Sequence, residues 1–175
     1  MASKSTIREA SRKAAQVIAP EGESLEGTDI LDTLKKEHDE VKSLLTQLQN
    51  TDGSAERRSL VQKIKAALVP HTKAEEKVVY DAIISSAEEQ TEVHGLEGYL
   101  EHEWASKTLQ RLEGADPQSA EHVAAAKVLK ELVEHHIKEE ESTIWDDVRE
   151  HFDAQDRAQM NVKFEAAKQK VKLSS

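Results

Sequence analysis

The sequence has no cysteine and few aromatic residues, glycines or prolines. Without cysteine among the 175 residues, disulfides and thiolate-bound zinc or iron–sulfur sites are excluded. Six glycines and three prolines are too few for the many turns of an all-β fold. A net charge of -10 argues against non-specific binding to nucleic acids, which depends on lysine and arginine. A tightly held transition metal must therefore bind imidazole and carboxylate groups, which directs attention to the eight histidines.

Long apolar segments are also missing. No run of about 18 apolar residues is present, which excludes a transmembrane helix. We therefore expect no membrane as a partner. Residues 1–20 lack the apolar centre of a secretory signal, so a cytoplasmic protein is expected. Residues 3–19 place apolar residues at helical spacing among serines and basic residues. We interpret this segment as a short N-terminal helix, and an organelle transit peptide is the alternative.

Apolar residues recur with helical periodicity through the rest of the chain and predict four long helices. Thr28 or Asp29 is expected to cap the first helix, Pro70 to bend the second, and Asp116-Pro117 to begin the fourth. Few residues connect these helices, which predicts an all-α fold, an antiparallel up-down four-helix bundle. The four helices are expected at about residues 29–49, 55–86, 91–113 and 117–152.

The bundle is expected to have helical segments before and after it. Residues 1–27 are interpreted as an N-terminal extension, residues 28–152 as the bundle, and residues 153–175 as a short C-terminal helix. Asp153 has the residue type and position of the cap of that last helix.

One histidine interrupts the apolar stripe of each long helix at a position where leucine would be expected. On the first helix, His38 fits the unbroken 3–4 spacing of the buried face. Two of the histidines are followed at i+4 by a glutamate, and residues i and i+4 face the same way on a helix. Four imidazoles and two carboxylates should therefore point into the bundle. These predicted metal ligands are His38, His71, Glu75, His102, His136 and Glu140.

The pattern occurs twice, which indicates an internal repeat of two helical hairpins. Two such hairpins related by a pseudo-twofold axis would direct all six groups to one place. The segments that align at offsets of 64 or 65 residues are Glu37-His38 with Glu101-His102, His71-x-x-x-Glu75-Glu76 with His136-x-x-x-Glu140-Glu141, and Val79-Tyr80 with Ile144-Trp145.

Six such groups in a bundle core favour a metal centre over a polar core without metal. Buried imidazoles and carboxylates cost free energy unless a cation compensates them. Carboxylates can bridge two cations while imidazoles bind one each, which suits two iron or manganese ions about 3.5–4 Å apart. The competing interpretation is a purely structural bundle whose histidines are satisfied by hydrogen bonds.

The remaining histidines and acidic residues are expected at the surface. His135 with Glu139 is the competing register for His136 with Glu140, because the two pairs are adjacent on the same helix. Glu76 and Glu141 directly follow two proposed ligands, and a surface position is favoured over contact with the site. Surface positions are also expected for His94, His122 and His151, and for the acidic runs 37–40 and 139–141 apart from the predicted ligands His38 and Glu140.

These motifs resemble the hemerythrin-like, HHE cation-binding family over about residues 28–152. The resemblance implies an up-down four-helix bundle around a non-haem centre of two iron ions, with manganese or zinc as substitutes. It also implies that dioxygen, nitric oxide or hydrogen peroxide binds or reacts there.

The third helix departs from the pattern of the family's oxygen carriers, which have a second histidine there. His102 is preceded at i−4 by Gly98 and followed at i+4 by Ser106, so a fifth imidazole is missing. A water molecule or another carboxylate is expected in its place. Simple oxygen transport is therefore not expected, whereas sensing, iron handling and peroxide or nitric oxide chemistry remain open.

Two functional classes follow from this interpretation. The first is a non-enzymatic di-iron protein that binds or senses dioxygen, nitric oxide or peroxide, or handles iron. The second is a di-iron redox enzyme with catalase-like or oxidase activity. A ferritin-like oxidase is disfavoured because it requires Glu-x-x-His, whereas this chain has His-x-x-x-Glu.

Overall fold

The computed structural model describes residues 27–86 and 89–173, and these residues form an all-α structure without a β-strand. The predicted N-terminal helix lies outside the described residues. None of the described helices is long and apolar enough to cross a bilayer. The seven α-helices of this part of the chain are α1 (Ile30–Gln49), α2 (Ser54–Glu75), α3 (Asp81–Ser86), α4 (Glu89–Gly114), α5 (Ala120–Glu139), α6 (Trp145–His151) and α7 (Ala154–Lys168).

The four long helices pack as a bundle, which confirms the predicted fold class. Helix α1 packs against α2 and α5, and α4 packs against the same two helices. The C-terminal helix α7 lies outside this arrangement and packs against α1 and α2. Asp153 caps α7 through a capping box with Asp156, as the sequence predicts.

Of the predicted N-terminal caps, that of α1 agrees with the structure and that of α5 does not. Asp29 caps α1, and its side chain accepts a hydrogen bond from the Leu31 amide at 3.0 Å. The predicted start of the fourth helix at Asp116 was wrong, because Ser119 provides the cap of α5. The Asp116 side chain instead accepts from the Gln118 amide at 3.1 Å and forms the turn that precedes the helix.

A wide helical turn interrupts each of the two helices that carry the His-x-x-x-Glu motifs. These π-helical segments span Glu76–Tyr80 and Glu140–Ile144, each at or directly after the glutamate of the motif. A π turn accommodates an extra residue and rotates the chain beyond it relative to a regular α-helix. π turns occur frequently at functional sites.

The π turns shift the buried face by one residue relative to the sequence prediction. On a regular helix Val78 and Ala82 would share the buried face of His71 and Glu75, but both are only half-buried. Val79 and Ile83, each one residue further along, are fully buried instead. The same shift occurs in the second half, where Ile144 is buried instead of Thr143, which a regular helix would place on the face of His136 and Glu140.

Apolar residues form two clusters, and the polar centre lies between them along the helices. The first cluster includes Val41, Leu45 and Leu109 and fills the end of the bundle where α1 joins α2. The second includes Ile30, Val79 and further residues near the start of α1, and α7 contributes to it. Leu132 lies on the sequence stripe of Leu129 and His136 but is only half-buried, and its neighbour Val133 takes the core position in α5.

Candidate metal centre

All six side chains predicted as ligands meet in the middle of the bundle. One histidine comes from each long helix, and the two glutamates follow one turn after two of them. Glu75 and Glu140 are 0% exposed, and the histidines are also buried. His135 and Glu139, the competing register, lie on the surface, where His135 is 64% exposed.

The donor atoms form two groups that share a carboxylate. His38, His71 and Glu75 form one group and Glu75, His102 and His136 the other, with one ligand atom per residue and all within 4.8 Å of each other. Glu75 Oε2 is 3.5 Å from His71 Nε2 and 3.4 Å from His102 Nε2. The structure therefore places Glu75 between the two groups.

Glu140 occupies the matching position between the same groups. Its Oε2 atom is 3.2 Å from His38 Nε2 and 3.5 Å from His136 Nε2. Two carboxylates that each lie between two pairs of imidazoles form a donor set suited to a pair of cations.

Each of the four imidazoles contacts a second carboxylate through its other ring nitrogen. When such a carboxylate accepts from Nδ1–H, the ring is fixed with the Nε2 lone pair facing the centre. The Nδ1 atoms lie 3.1 Å from Glu141 for His38, 2.9 Å from Glu37 for His71, 3.3 Å from Glu76 for His102 and 2.7 Å from Glu101 for His136.

These outer carboxylates correct the predicted surface positions of Glu76, Glu141 and Glu37. The Glu76 side chain is only 12% exposed, and those of Glu37 and Glu141 are also largely covered. The sequence did contain a signal, because these carboxylates recur in both halves of the repeat. Its meaning was missed because the histidine that each carboxylate contacts lies on another helix.

Burial keeps two of the imidazoles in the neutral form that binds metals. It lowers the pKa of His102 to about 4 and also lowers the pKa of His71. Burial alone would have the same effect on His38, but the adjacent carboxylates of Glu140 and Glu141 raise its pKa.

The two central carboxylates have opposite pKa shifts. Burial, followed by repulsion from Glu140, raises the pKa of Glu75 well above its ordinary value. Burial opposes ionisation of Glu140 too, but His38 and His136 lower its pKa below the ordinary range. In the metal-free protein Glu75 therefore holds a proton more readily than Glu140 does, and a cation would compete with that proton.

Several atoms at the centre have no hydrogen-bond partner within the described part of the chain. They are His38 Nε2, Glu75 Oε1 and both carboxylate oxygens of Glu140. Although His38 Nε2 and Glu140 Oε2 are close, they are not aligned for a hydrogen bond. Buried polar atoms left in this state are costly unless something else binds them. Nitrogen and oxygen donors that converge in this way fit iron, manganese or zinc.

Tyr80 is a residue of the centre that sequence analysis missed. Its hydroxyl oxygen is 3.4 Å from Glu75 Oε2, from His102 Nε2 and from His136 Nε2. Burial, then Glu140 and Glu75, raise the pKa of Tyr80 well above its ordinary value. The repeat had aligned Tyr80 with Trp145, but a π turn decides where both rings point, and the periodicity does not reveal it.

A cavity of about 400 Å³ lies on one side of the histidines. All four imidazoles line it, whereas Glu75, Glu140 and Tyr80 do not. Apolar side chains form part of its wall and include Val41, Leu68, Ala105, Val133 and Ile137. Charged side chains also line it and include Glu37, Glu40, Lys63, Glu101 and Lys168.

Comparison with known families adds a decisive observation. The model of the hemerythrin HHE cation-binding domain matches residues 29–157. The chain belongs to this family. The match covers the four long helices with all six predicted ligands and ends just after α7 begins.

One curated relative of this HHE protein is a "DNA nickase" from Nostoc sp. (strain PCC 7120 / SAG 25.82 / UTEX 2576). It is 26% identical over 152 residues, which are 86% of this chain and 42% of the relative. The HHE chain therefore spans less than half the length of that protein. No solved structure matches the chain.

The other histidines of the HHE protein differ from their predicted surface positions. His122 is 2% exposed, so the prediction for this residue was wrong, and burial lowers its pKa. His94 and His151 are half-buried, and each contacts Asp147 at 2.8 Å, through the side-chain carboxylate and the backbone carbonyl respectively. None of these three residues is in either candidate ligand group of the described chain.

Proposed function

We propose that this HHE protein holds two iron ions and binds a small ligand such as dioxygen, nitric oxide or hydrogen peroxide. The observation that supports it best is the pair of donor groups that share the buried Glu75, with Glu140 between the same groups and a cavity beside them. Manganese or zinc could replace iron, because the donors are imidazoles and carboxylates.

In this proposal each of the two donor groups supplies two imidazoles. His38 and His71 would hold one ion, His102 and His136 would hold the other, and both ions would share the carboxylates of Glu75 and Glu140. When bound, two iron ions supply the affinity for small gaseous or peroxide ligands that the amino acids alone lack.

The surrounding residues then orient the donors and control access. The outer carboxylates hold the rings in one orientation through Nδ1. The apolar part of the cavity wall offers few hydrogen bonds to water and favours small apolar molecules such as dioxygen and nitric oxide.

Metal analysis and optical spectroscopy of protein from iron-replete cells test the proposal. We expect two irons per chain and near-ultraviolet absorption that changes when the reduced protein meets nitric oxide or dioxygen. His136→Ala should lose iron, whereas His135→Ala on the exposed side of the same helix should retain it. Wild-type protein without bound iron, manganese or zinc would refute the proposal.

A di-iron redox enzyme with catalase-like or oxidase activity is the second candidate. The observation in its favour is that Glu37 and Glu101 also line the cavity, where carboxylates could move protons. Peroxide consumption by the iron-loaded protein distinguishes the two candidates. Sustained turnover would favour the enzyme, and a reversible adduct without turnover would favour the binding protein.

We do not extend nicking of DNA to this chain. The chain matches less than half of the relative that carries that name, and its net charge of -10 opposes binding to a polyanion. Incubation of the iron-loaded protein with supercoiled plasmid should leave the plasmid intact. Conversion to the open circular form would contradict this expectation.

A further inference from the structure

The hydroxyl group of Tyr80 has an unusual set of neighbours. Its oxygen is 3.4 Å from one carboxylate oxygen and from two imidazole nitrogens, and those three residues are the second donor group. A phenol has a single proton and can donate it to only one of these acceptors. A distance of 3.4 Å is also long for a hydrogen bond from a hydroxyl group. Hydrogen bonding therefore explains this position poorly.

The distances fit donors that share one cation. Donors about 2.1 Å from a common ion are separated by about 3.0 Å at right angles and about 3.4 Å in a tetrahedron. His102 Nε2 is 3.0 Å from His136 Nε2 and 3.4 Å from Glu75 Oε2. The three distances of 3.4 Å from the Tyr80 oxygen complete a set of this size.

Gly98 provides the space that the Tyr80 ring occupies. A Cβ atom at position 98 would lie 2.7 Å from two ring carbons of Tyr80 and 3.0 Å from its hydroxyl oxygen. Position 98 precedes His102 by four residues, so a side chain there would face the same way. The volume where a second histidine of α4 would lie is thus filled by a phenol from the π turn.

We propose that the Tyr80 oxygen binds the second metal ion as a phenolate, in the place of the missing fifth imidazole. The phenol releases its proton to solvent when the cation binds, and no electron transfer is involved. A cation beside the oxygen also offsets the negative charge of the neighbouring carboxylates, which otherwise disfavours the phenolate. This inference rests on the proposed iron centre.

The other half of the centre has no equivalent ligand at the aligned position. Trp145 aligns with Tyr80, and its ring stacks on His38 with centroids 5.9 Å apart. An indole offers only an N–H donor and no lone pair for a metal. The two ions would therefore differ in their coordination, and the one at His38 and His71 would retain a position for an exogenous ligand.

The test is resonance Raman and visible absorption spectroscopy of the ferric protein. Phenolate bound to iron(III) gives a visible charge-transfer band and enhanced tyrosinate ring vibrations. The chain has only two tyrosines, Tyr80 and Tyr99. We expect Tyr80→Phe to lose both signals and to release iron to a chelator about tenfold faster or more. Tyr99→Phe is the matched control, because the Tyr99 hydroxyl donates to Asp81 at 2.8 Å outside the donor groups, and it should keep both signals.

Gly98→Ala provides a second variant that leaves the tyrosine in place. Its methyl group would displace the ring, so we expect the tyrosinate signals to weaken even though both tyrosines remain. Wild-type protein with two irons and no tyrosinate signal, or Tyr80→Phe with the signal intact, would overturn this inference alone. Failure of the wild-type protein to bind iron would instead overturn the proposed centre.

Discussion

The two halves of the centre, one from α1 and α2 and the other from α4 and α5, supply the same types of ligand. In each half, however, one histidine contacts a carboxylate of its own half and the other contacts a carboxylate of the opposite half. Glu37 contacts His71 within the first half, and Glu101 contacts His136 within the second. The remaining contacts cross between the halves and are made by His38 with Glu141 and His102 with Glu76. Each half thus orients one of its histidines and depends on the other half for the second. A single hairpin would therefore leave one of its two histidines without the carboxylate that orients it.

The halves also differ in what surrounds the shared pattern. Lys168 from α7 forms an ion pair with Glu37, whereas the matching Glu101 has the exposed His135 at 3.6 Å. Phe164 of the same helix packs edge-on against His71, with ring centroids 5.8 Å apart. The sequence repeat therefore produces matching donors in unequal surroundings.

The largest effect should come from removing a shared carboxylate. Glu75→Ala deletes a donor common to both groups, so we expect loss of both ions. The stability that metal binding adds, about 4 kcal/mol when free metal exceeds Kd about 1,000-fold, would be lost with them. Metal analysis and thermal unfolding measure the two effects, with the exposed Glu131→Ala as control. Two ions retained in Glu75→Ala would show that the halves do not share this residue.

A smaller effect is expected from the carboxylates that cross between the halves. Glu76→Ala should lower the affinity for the ion at His102, and Glu141→Ala should lower the affinity for the ion at His38, each by about 10–100-fold. Chelator competition on the reduced protein measures both affinities. Equal losses would show that the crossed contacts are equivalent, and no loss in either variant would contradict their orienting role.

The smallest effect is on the unfolding temperature of the metal-free protein, and it should have opposite signs for substitutions of Glu75 and Glu140. The pKa of Glu75 is raised from 4.5, so its ionisation destabilises the fold as the pH rises above that value. Glu75→Gln should therefore raise the unfolding temperature at about pH 8 and have no such benefit below about pH 4.5.

Glu140 provides the matched comparison. Its pKa is lowered, so the ionised group stabilises the fold above its unfolded-state pKa, and this contribution is lost as the pH falls. Glu140→Gln should therefore lower the unfolding temperature of the metal-free protein at about pH 8. Shifts of the same sign in both variants would contradict the opposite pKa shifts of the two carboxylates.

Much of this arrangement could be predicted from the sequence because helical periodicity is a local property. The positions of His38 and Leu45 on one face follow from a spacing of 3.6 residues, and four such stripes define a bundle. The choice of His136 over His135 followed from the repeat. These predictions required only the assumption of regular helices.

The rest could not be predicted, because it depends on contacts between helices and on irregular backbone. The partner of Glu76 lies 26 residues away on another helix, and no spacing rule connects the two. The role of Tyr80 depends on a π turn and on space left by Gly98. His122 was misjudged because a position in the first turn of α5 does not determine what packs over it.

The two π turns make the length of these helices as important as their composition. A regular α-helix advances about 100° per residue, so deleting one residue from Glu76–Tyr80 would turn everything downstream by about that angle. The chain could then keep its helix content while Val79 left the core and the phenol faced away from His102. The helical register of the chain, rather than any single side chain, therefore specifies which ring reaches the centre.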